Sequence, residues 1–145
     1  MEPLDLTKRP PRSPREQLLG LYFLPRTIDK LRALLPGGNP GQYFINGPIL
    51  GISGFLLQRL GITEQQLSEA IAAAATENDI VIWLREHVDT SQYPKLNHIM
   101  QKITAEHTED PAIFRGIYAE TLATRPGLER VMDVIVADDE RLFTS

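Results

Sequence analysis

The chain has 145 residues, of which 42% are hydrophobic and 23% charged, a composition typical of a globular domain that excludes wholesale disorder. A net charge of −4 argues against non-specific nucleic-acid binding as the main task. Cysteine is absent, which excludes disulfide and thiolate chemistry and fits a reducing cytoplasm. Because neither an export signal nor a long apolar run is visible, we expect one cytoplasmic domain without a membrane partner.

Positive charge is concentrated at the start of the chain. Residues 1–32 hold seven Lys and Arg against four Asp and Glu, whereas the remainder holds eight basic and fifteen acidic side chains. Such a division of charge indicates that the basic segment contacts an anion. That anion is either the acidic body of the protein or an external ligand, and the sequence leaves both interpretations open.

The first twelve residues contain three prolines and no apolar periodicity, which predicts an extended arm. Helical signals begin at Ser13, where a following proline and Glu16 complete a capping box. Pro25 begins a second predicted helix, which ends at the Pro36-Gly37-Gly38 run. The first predicted helix ends before Pro25 and has an apolar face of Leu18, Leu19, Tyr22 and Phe23.

The segment Pro36–Pro48 is rich in glycine and proline and is the longest predicted loop. A helix is predicted over Ile49–Leu60, stopping at Gly61, and a capping box at Thr63 opens the next one. The remaining helices are predicted to start at Asn78 or Asp79, at Tyr93-Pro94, at Asp110-Pro111 and after Gly127.

All of these predicted elements are helical, and no convincing strand alternation is present. We therefore predict an all-α fold, a compact single-domain bundle of about seven short helices with an extended proline- and arginine-rich arm. Residues 1–12 form the arm and residues 13–145 the helical domain.

The basic segment also supplies the candidate site. Arg26, Asp29 and Lys30 share one face of the second predicted helix, and Asp29 is placed to bridge Arg26. Arginine forks bind carboxylate or phosphate at two points, and a helix start also favours an anion. We predict a site for a small phosphorylated or carboxylated ligand, formed by Arg12, Arg15, Arg26, Asp29, Lys30 and the loop residue Tyr43.

A structural role competes with this prediction. Arms tied down by salt bridges are common, so the same arginines can instead pin the arm to an acidic helix. The end of the chain offers one, because Asp138-Asp139-Glu140 lies in the last predicted helix. By default, however, such an acidic end is solvated.

No metal or cofactor is expected. His87, His98 and His107 are spaced by eleven and nine residues, which matches no metal pair on a helix. The Gly37–Gly41 run follows a helix and lacks the Gly-Lys-Ser/Thr of a phosphate-binding loop.

The opening motifs are Leu6-Thr7-Lys8-Arg9-Pro10-Pro11-Arg12-Ser13-Pro14-Arg15 and Leu24–Ala33. They resemble the bacterial family catalogued as domain of unknown function 5069, and the resemblance extends over essentially the whole chain. It implies a small, mostly helical bacterial protein. Where relatives carry Asn-Cys-Pro-Leu-Asp, this chain has Asn46-Gly47-Pro48-Ile49-Leu50, so the cysteine and the acid are missing. This departure favours a binding or structural role over catalysis.

We therefore expect a non-enzymatic module that binds a small anionic ligand or an acidic partner at the N-terminal basic cleft, and no nucleic acid. One alternative is an enzyme that anchors a phosphorylated or carboxylated substrate through Arg26 and Lys30, with Asp29 or Tyr43 transferring a proton. The other is a helical scaffold that forms a homo-oligomer. No residue is assigned a catalytic role by the sequence.

Overall fold

The computed structural model describes residues 1–144, and the protein is mostly helical, as predicted. Two single turns of 3-10 helix, Thr90–Gln92 and Ala105–His107, connect longer elements. Within the described residues the regular elements are β1 (Gln17–Leu18), β2 (Leu21–Tyr22), α1 (Leu24–Ala33), α2 (Ile52–Leu60), α3 (Glu64–Ala73), α4 (Glu77–His87), α5 (Tyr93–Lys102), α6 (Pro111–Ile117), α7 (Ala119–Thr124) and α8 (Val131–Phe143).

The prediction of a helix after Ser13 is wrong. Ser13 N–H donates to the Glu16 carboxylate at 3.0 Å, as in a capping box, but the chain then enters the antiparallel β1–β2 hairpin. The two turn residues Leu19 and Gly20 have φ angles of 55° and 74°. Two consecutive residues with positive φ suit a two-residue hairpin turn, and glycine adopts this conformation without steric cost. Gly20 therefore favours the hairpin over the helix.

Helix α1 is the most buried helix in the fold. Pro25 lies in its first turn, and the helix packs against α2, α3 and β1. Two charged side chains, Arg26 and Asp29, are each only 3% exposed. Buried charges require partners, so these two side chains of α1 form ion pairs with residues of other segments. The apolar core around it includes Leu24, Ile28, Leu56, Leu67, Ile80, Leu84 and Met100.

Local capping signals place several helix ends. Helix α2 ends at Gly61, whose φ of 72° is typical of a left-handed cap. The capping box at Thr63 forms as predicted, because its hydroxyl accepts from Gln66 N–H at 3.0 Å. Helix α4 begins earlier than predicted, because Thr76 is its N-cap and Asp79 accepts from the Thr76 N–H at 3.1 Å.

The helix predicted from Asp110-Pro111 onward is divided in two. Asp110 caps α6 by accepting from Ile113 N–H at 3.1 Å. Tyr118 then leaves the helical region, with φ −105° and ψ 23°, and α7 begins at the next residue. Gly116, just before the break, lowers the helical propensity of this segment. The break leaves Ile117 and Tyr118 only partly exposed, beside α8.

Residues 1–12 lie against the body of the protein without forming a helix or a strand of their own. Leu6 N–H donates to Asn39 O at 2.8 Å, and Asn39 N–H donates to Leu4 O at 2.9 Å. The α-amino group of Met1 donates to Ile71 O at 2.9 Å, and the Leu6 side chain is buried. Backbone hydrogen bonds and burial therefore hold this segment, in addition to its charges.

Candidate functional site

A small cavity with both polar and apolar walls lies beside α1 and has a volume of about 80 Å³. Its walls come from α1, the Pro36–Pro48 loop, the start of α2, the α6–α7 junction and α8. The volume corresponds to roughly two to three water molecules, so the cavity suits a small ion or a short acid. The polar side chains that line it are Arg26, Lys30, Gln42, Tyr43, Tyr118, Asp138 and Arg141.

Arg26 is fixed at the edge of this cavity by Asp139 of α8. Its two terminal nitrogens donate to the two carboxylate oxygens at 2.6 and 3.2 Å, which is the two-point geometry of a strong ion pair. The Tyr43 hydroxyl donates to the same carboxylate at 2.7 Å, and the guanidinium lies 5.2 Å from the centre of the Tyr43 ring. Burial, with the bond to Asp139, raises the pKa of Tyr43.

The third donor of the Arg26 guanidinium has no partner. Its Nε–H is buried, and among the described residues it finds no acceptor. Buried donors in proteins are nearly always paired, because an unmet one costs about 1–3 kcal/mol. Arg26 therefore has one unmet donor, which the surrounding protein shields from solvent.

Lys30 lies one turn beyond Arg26 on the same face of α1. Its Nζ hydrogen-bonds to Ser53 Oγ at a long distance of 3.4 Å, and it lies 6.0 Å from the ring centre of Phe44. Ser53 bonds in turn to the hydroxyl of Thr27 at 2.9 Å. Burial lowers the pKa of Lys30 well below its ordinary value, and the charge of Arg26 adds to this effect.

Helix α8 and the α6–α7 junction close the cavity on the other side. Arg141 donates to Asp138 at 3.1 Å and to Glu120 at 2.7 Å. Asp138 also accepts from Thr121 Oγ1 at 2.6 Å. Tyr118 lines the same cavity, and burial raises its pKa to about 12, so its hydroxyl is a proton donor at neutral pH.

Lys30 differs from the other basic side chains around the cavity. Arg26 forms an ion pair with Asp139. Arg141 forms ion pairs with Asp138 and with Glu120. Within residues 1–144 no carboxylate lies within 4.0 Å of the Lys30 amine, so this lining cation has no partner of opposite charge among the described residues.

Three of the six predicted ligand residues meet here, namely Arg26, Lys30 and Tyr43. Asp29 does not bridge Arg26 within α1, because its carboxylate is taken up by Arg12. The Arg12 N–H donates to Asp29 at 2.8 Å, and its guanidinium donates to the same carboxylate at 3.1 Å.

Arg12 and Arg15 both fasten the start of the chain to helices. Arg12 donates to Glu77 of α4 at 2.6 Å as well as to Asp29. Burial opposes the charge of Arg12, but hydrogen bonds to Glu77 and Asp29 outweigh it and raise its pKa. Arg15, which is exposed, pairs with Asp133 of α8. The contacts of these two arginines therefore follow the structural interpretation, in which arginines fasten the start of the chain to acidic side chains of the helices.

The sequence analysis does not predict a site role for five polar residues beside the cavity: Gln42, Ser53, Tyr118, Asp138 and Arg141. Asp138 belongs to an acidic run expected to be solvated, yet it is only 9% exposed. The spacing of three between Asp138 and Arg141 is a signal of an ion pair on one helix face. Ser53 and Tyr118 give no comparable signal, because both reach the cavity through folding.

A second, wider groove of about 550 Å³ lies between α2 and α5. Its walls include Phe55 and Ile99, and its polar rim includes Arg59, His98 and Lys102, all exposed. Because exposed groups are solvated, this rim contains no buried donor that needs a ligand. The smaller cavity at Lys30 is therefore the stronger candidate site.

Neither a metal centre nor a membrane span is found in the described part of the chain. No three His, Asp or Glu side chains of residues 1–144 are grouped closely enough to hold a metal ion. None of the helices described combines the length and apolar character needed to cross a bilayer.

These features define a mostly helical protein with a small, cation-rich cavity beside its central helix. The chain belongs to the family described as a domain of unknown function (DUF5069), which it matches over residues 8–141. The match includes the two N-terminal motifs almost completely, as well as the helices that line the cavity, except for the last two residues of α8. No curated protein matches the sequence.

Proposed function

We propose that the protein binds a small anion in the cavity beside Arg26 and Lys30. One observation carries this proposal: the Lys30 amine belongs to a side chain that lines the cavity, makes one long hydrogen bond to Ser53 and has no described carboxylate within 4.0 Å. The Arg26 guanidinium, whose two terminal nitrogens bind Asp139, adds positive charge to the same wall. A carboxylate or phosphate oxygen supplies the acceptor and the negative charge that Lys30 lacks.

The environment of Lys30 supports the same proposal. Burial lowers the pKa of Lys30, and Coulomb repulsion from Arg26 lowers it further. An anion next to Lys30 offsets this repulsion and therefore raises the pKa of the amine. The cavity volume of about 80 Å³ favours inorganic phosphate or an acid of two or three carbons over an acidic protein segment.

This proposal describes a binding module of the cytoplasm, in keeping with the absence of cysteine. Arg12 and Arg15 act in it as structural residues that fasten the chain start. Lys30 contacts the ligand, Arg26 adds positive charge beside it, and Tyr43 holds Asp139 in place.

Calorimetric titration with phosphate, acetate and lactate tests the proposal. The Lys30→Met variant keeps the length of the side chain and removes its charge, so we expect affinity to fall about ten- to a hundredfold, the effect of one charge-assisted contact. Lys95→Met, which removes an exposed lysine, is the matched control and should bind as the wild type does. Equal affinities for wild type and Lys30→Met, or no binding of any of the three anions at millimolar concentration, would refute the proposal.

A further inference from the structure

The groove between α2 and α5 combines apolar walls with a basic rim. Its volume of about 550 Å³ lies within the range of roughly 300–1,000 Å³ that is typical of ligand sites. The walls come from α2, from the second half of α5 and from the segment that follows α5. Their apolar side chains are partly exposed, and they include Ile52, Phe55, Ile99 and Ile103.

The two cations of the rim are not paired within the protein. Among residues 1–144, no carboxylate lies within 4.0 Å of the side-chain nitrogens of Arg59 or Lys102. The Arg59 guanidinium instead lies 5.1 Å from the centre of the Phe55 ring, one turn earlier on α2. This cation–π contact places the charge where the apolar wall meets solvent. Lys102 follows His98 by one turn, so both lie on the same face of α5.

His107 adds a donor with a defined tautomer to the rim. Its Nδ1 accepts the backbone N–H of Thr104 at 3.0 Å, so the neutral ring carries its proton on Nε2. This Nε2–H makes no hydrogen bond to any residue that the structure describes. The rim therefore offers a neutral donor in addition to its two cations.

The combination of charge and apolar surface selects the kind of ligand. Arg59 and Lys102 contribute two positive charges and Glu109 one negative charge, so the rim is positive in a protein whose net charge is −4. An inorganic anion gains little there, because ion pairs between exposed groups contribute little. The apolar walls favour a hydrocarbon chain, which leaves water when it binds. An anion with an apolar chain is complementary to both features.

We propose that this groove binds the carboxylate form of a medium-chain fatty acid. The chain lies against the apolar walls, and the carboxylate lies at Arg59 and Lys102. Because three parts of the chain wall the groove, it suits a ligand of limited length better than a membrane or a long helix. The inference does not depend on the proposed function, which concerns the smaller cavity at Lys30, although residues 50–52 line both.

Calorimetric titration of the full-length protein, below the concentration at which micelles form, tests this inference. Octanoate and decanoate differ only in chain length, whereas decanol and decyltrimethylammonium keep the chain of decanoate and change its head group. We expect decanoate to bind about ten- to fifteenfold more tightly than octanoate, since each buried methylene adds a factor of about three to four. Decanol should bind about fivefold more weakly than decanoate, and decyltrimethylammonium more weakly still.

Variants of the rim locate the carboxylate. Arg59→Gln and Lys102→Gln alter exposed side chains, and each should weaken decanoate binding about three- to fivefold without changing decanol binding. Arg85→Gln removes an exposed cation of α4 and is the matched control. Glu109→Gln removes the negative charge of the rim and should strengthen decanoate binding. Opposite signs for the basic and acidic positions distinguish a charge effect from a loss of structure.

Four results would overturn the inference. The first is absence of decanoate binding, including the case in which an acidic amphipathic peptide binds instead. The second is equal affinity for decanoate and decanol, and the third is wild-type decanoate affinity in both Arg59→Gln and Lys102→Gln. The fourth is a loss of decanoate binding in Lys30→Met but not in Arg59→Gln, which would place the carboxylate in the smaller cavity and support the proposed function alone.

Discussion

Asp139 of α8 binds Arg26 of α1 through both carboxylate oxygens, although 113 residues separate the two in the sequence. The pair joins the last helix to the central helix, and Tyr43 of the long loop donates to the same carboxylate. Because Arg26 already has this partner, its terminal nitrogens are structural, and its Nε is enclosed by the protein. Lys30 is therefore the principal cation of the cavity.

Substitution of Arg26 should cost stability. In Arg26→Ala the Asp139 carboxylate, whose side chain is 12% exposed, loses its counterion, and breaking a buried pair in this way costs about 3–5 kcal/mol. Thermal or urea unfolding measures the loss. The exposed Arg85→Ala on α4 is the control and should change stability little. If the Arg26→Ala/Asp139→Ala double variant loses as much as the sum of the two single variants, the residues do not act as a pair.

The stability of the wild type should rise with pH relative to Lys30→Met. The folded-state pKa of Lys30 lies below the value of about 10.4 in the unfolded chain, so between these two values the unfolded chain binds more protons. The free energy of unfolding of the wild type therefore increases with pH in this window, by at most about 1.4 kcal/mol per pH unit. Below the lowered pKa the penalty is constant, and Lys30→Met is the more stable protein.

Urea unfolding of both proteins across this pH range measures the difference. The remaining groups around Lys30 are common to both proteins and cancel in the comparison: Arg26, Tyr43, Tyr118, Asp138, Asp139 and Arg141. Parallel stability profiles would show that the pKa of Lys30 is the same in the folded and unfolded chains.

Arg12 should matter more for stability than its neighbour Arg9. Arg12→Ala leaves Asp29, whose side chain is 4% exposed, without its guanidinium partner, and we expect a loss of about 2–3 kcal/mol. The side chain of Arg9 is exposed, so Arg9→Ala should lie within about 0.5 kcal/mol of the wild type. Differential scanning calorimetry compares the two. Similar melting temperatures for both variants would mean that Arg12 does not hold the chain start.

Two glycine substitutions should change stability in opposite directions. Gly61 has a φ of 72°, which strains an alanine by about 1–2 kcal/mol although its surroundings are open. Gly116 lies within α6, also in open space, and its φ is not positive, so Gly116→Ala should stabilise the protein by about 0.5–1 kcal/mol. Urea midpoints of the two variants test this. A stable Gly61→Ala would show that the end of α2 tolerates a different cap.

Local signals explain how much of the fold is predictable from the sequence. The helix stop at Gly61 and the capping box at Thr63 depend on residues within one turn of each other, so they can be recognised without tertiary structure. The same holds for Asp110 at the start of α6. The prediction is wrong after Ser13 because two local signals compete there, and the turn at Leu19-Gly20 prevails once the hairpin packs against α1.

The sequence by itself determined that Arg26 and Lys30 share a helix face and that basic residues are concentrated near the start of the chain. It did not determine which of these cations would be neutralised. Only the tertiary structure decided that Asp29 binds Arg12, that Asp139 binds Arg26, and that Lys30 pairs with none of the described carboxylates. The physical reason is that ion pairing depends on distances of a few ångströms between groups far apart in the chain, and spacing along a helix does not encode these distances.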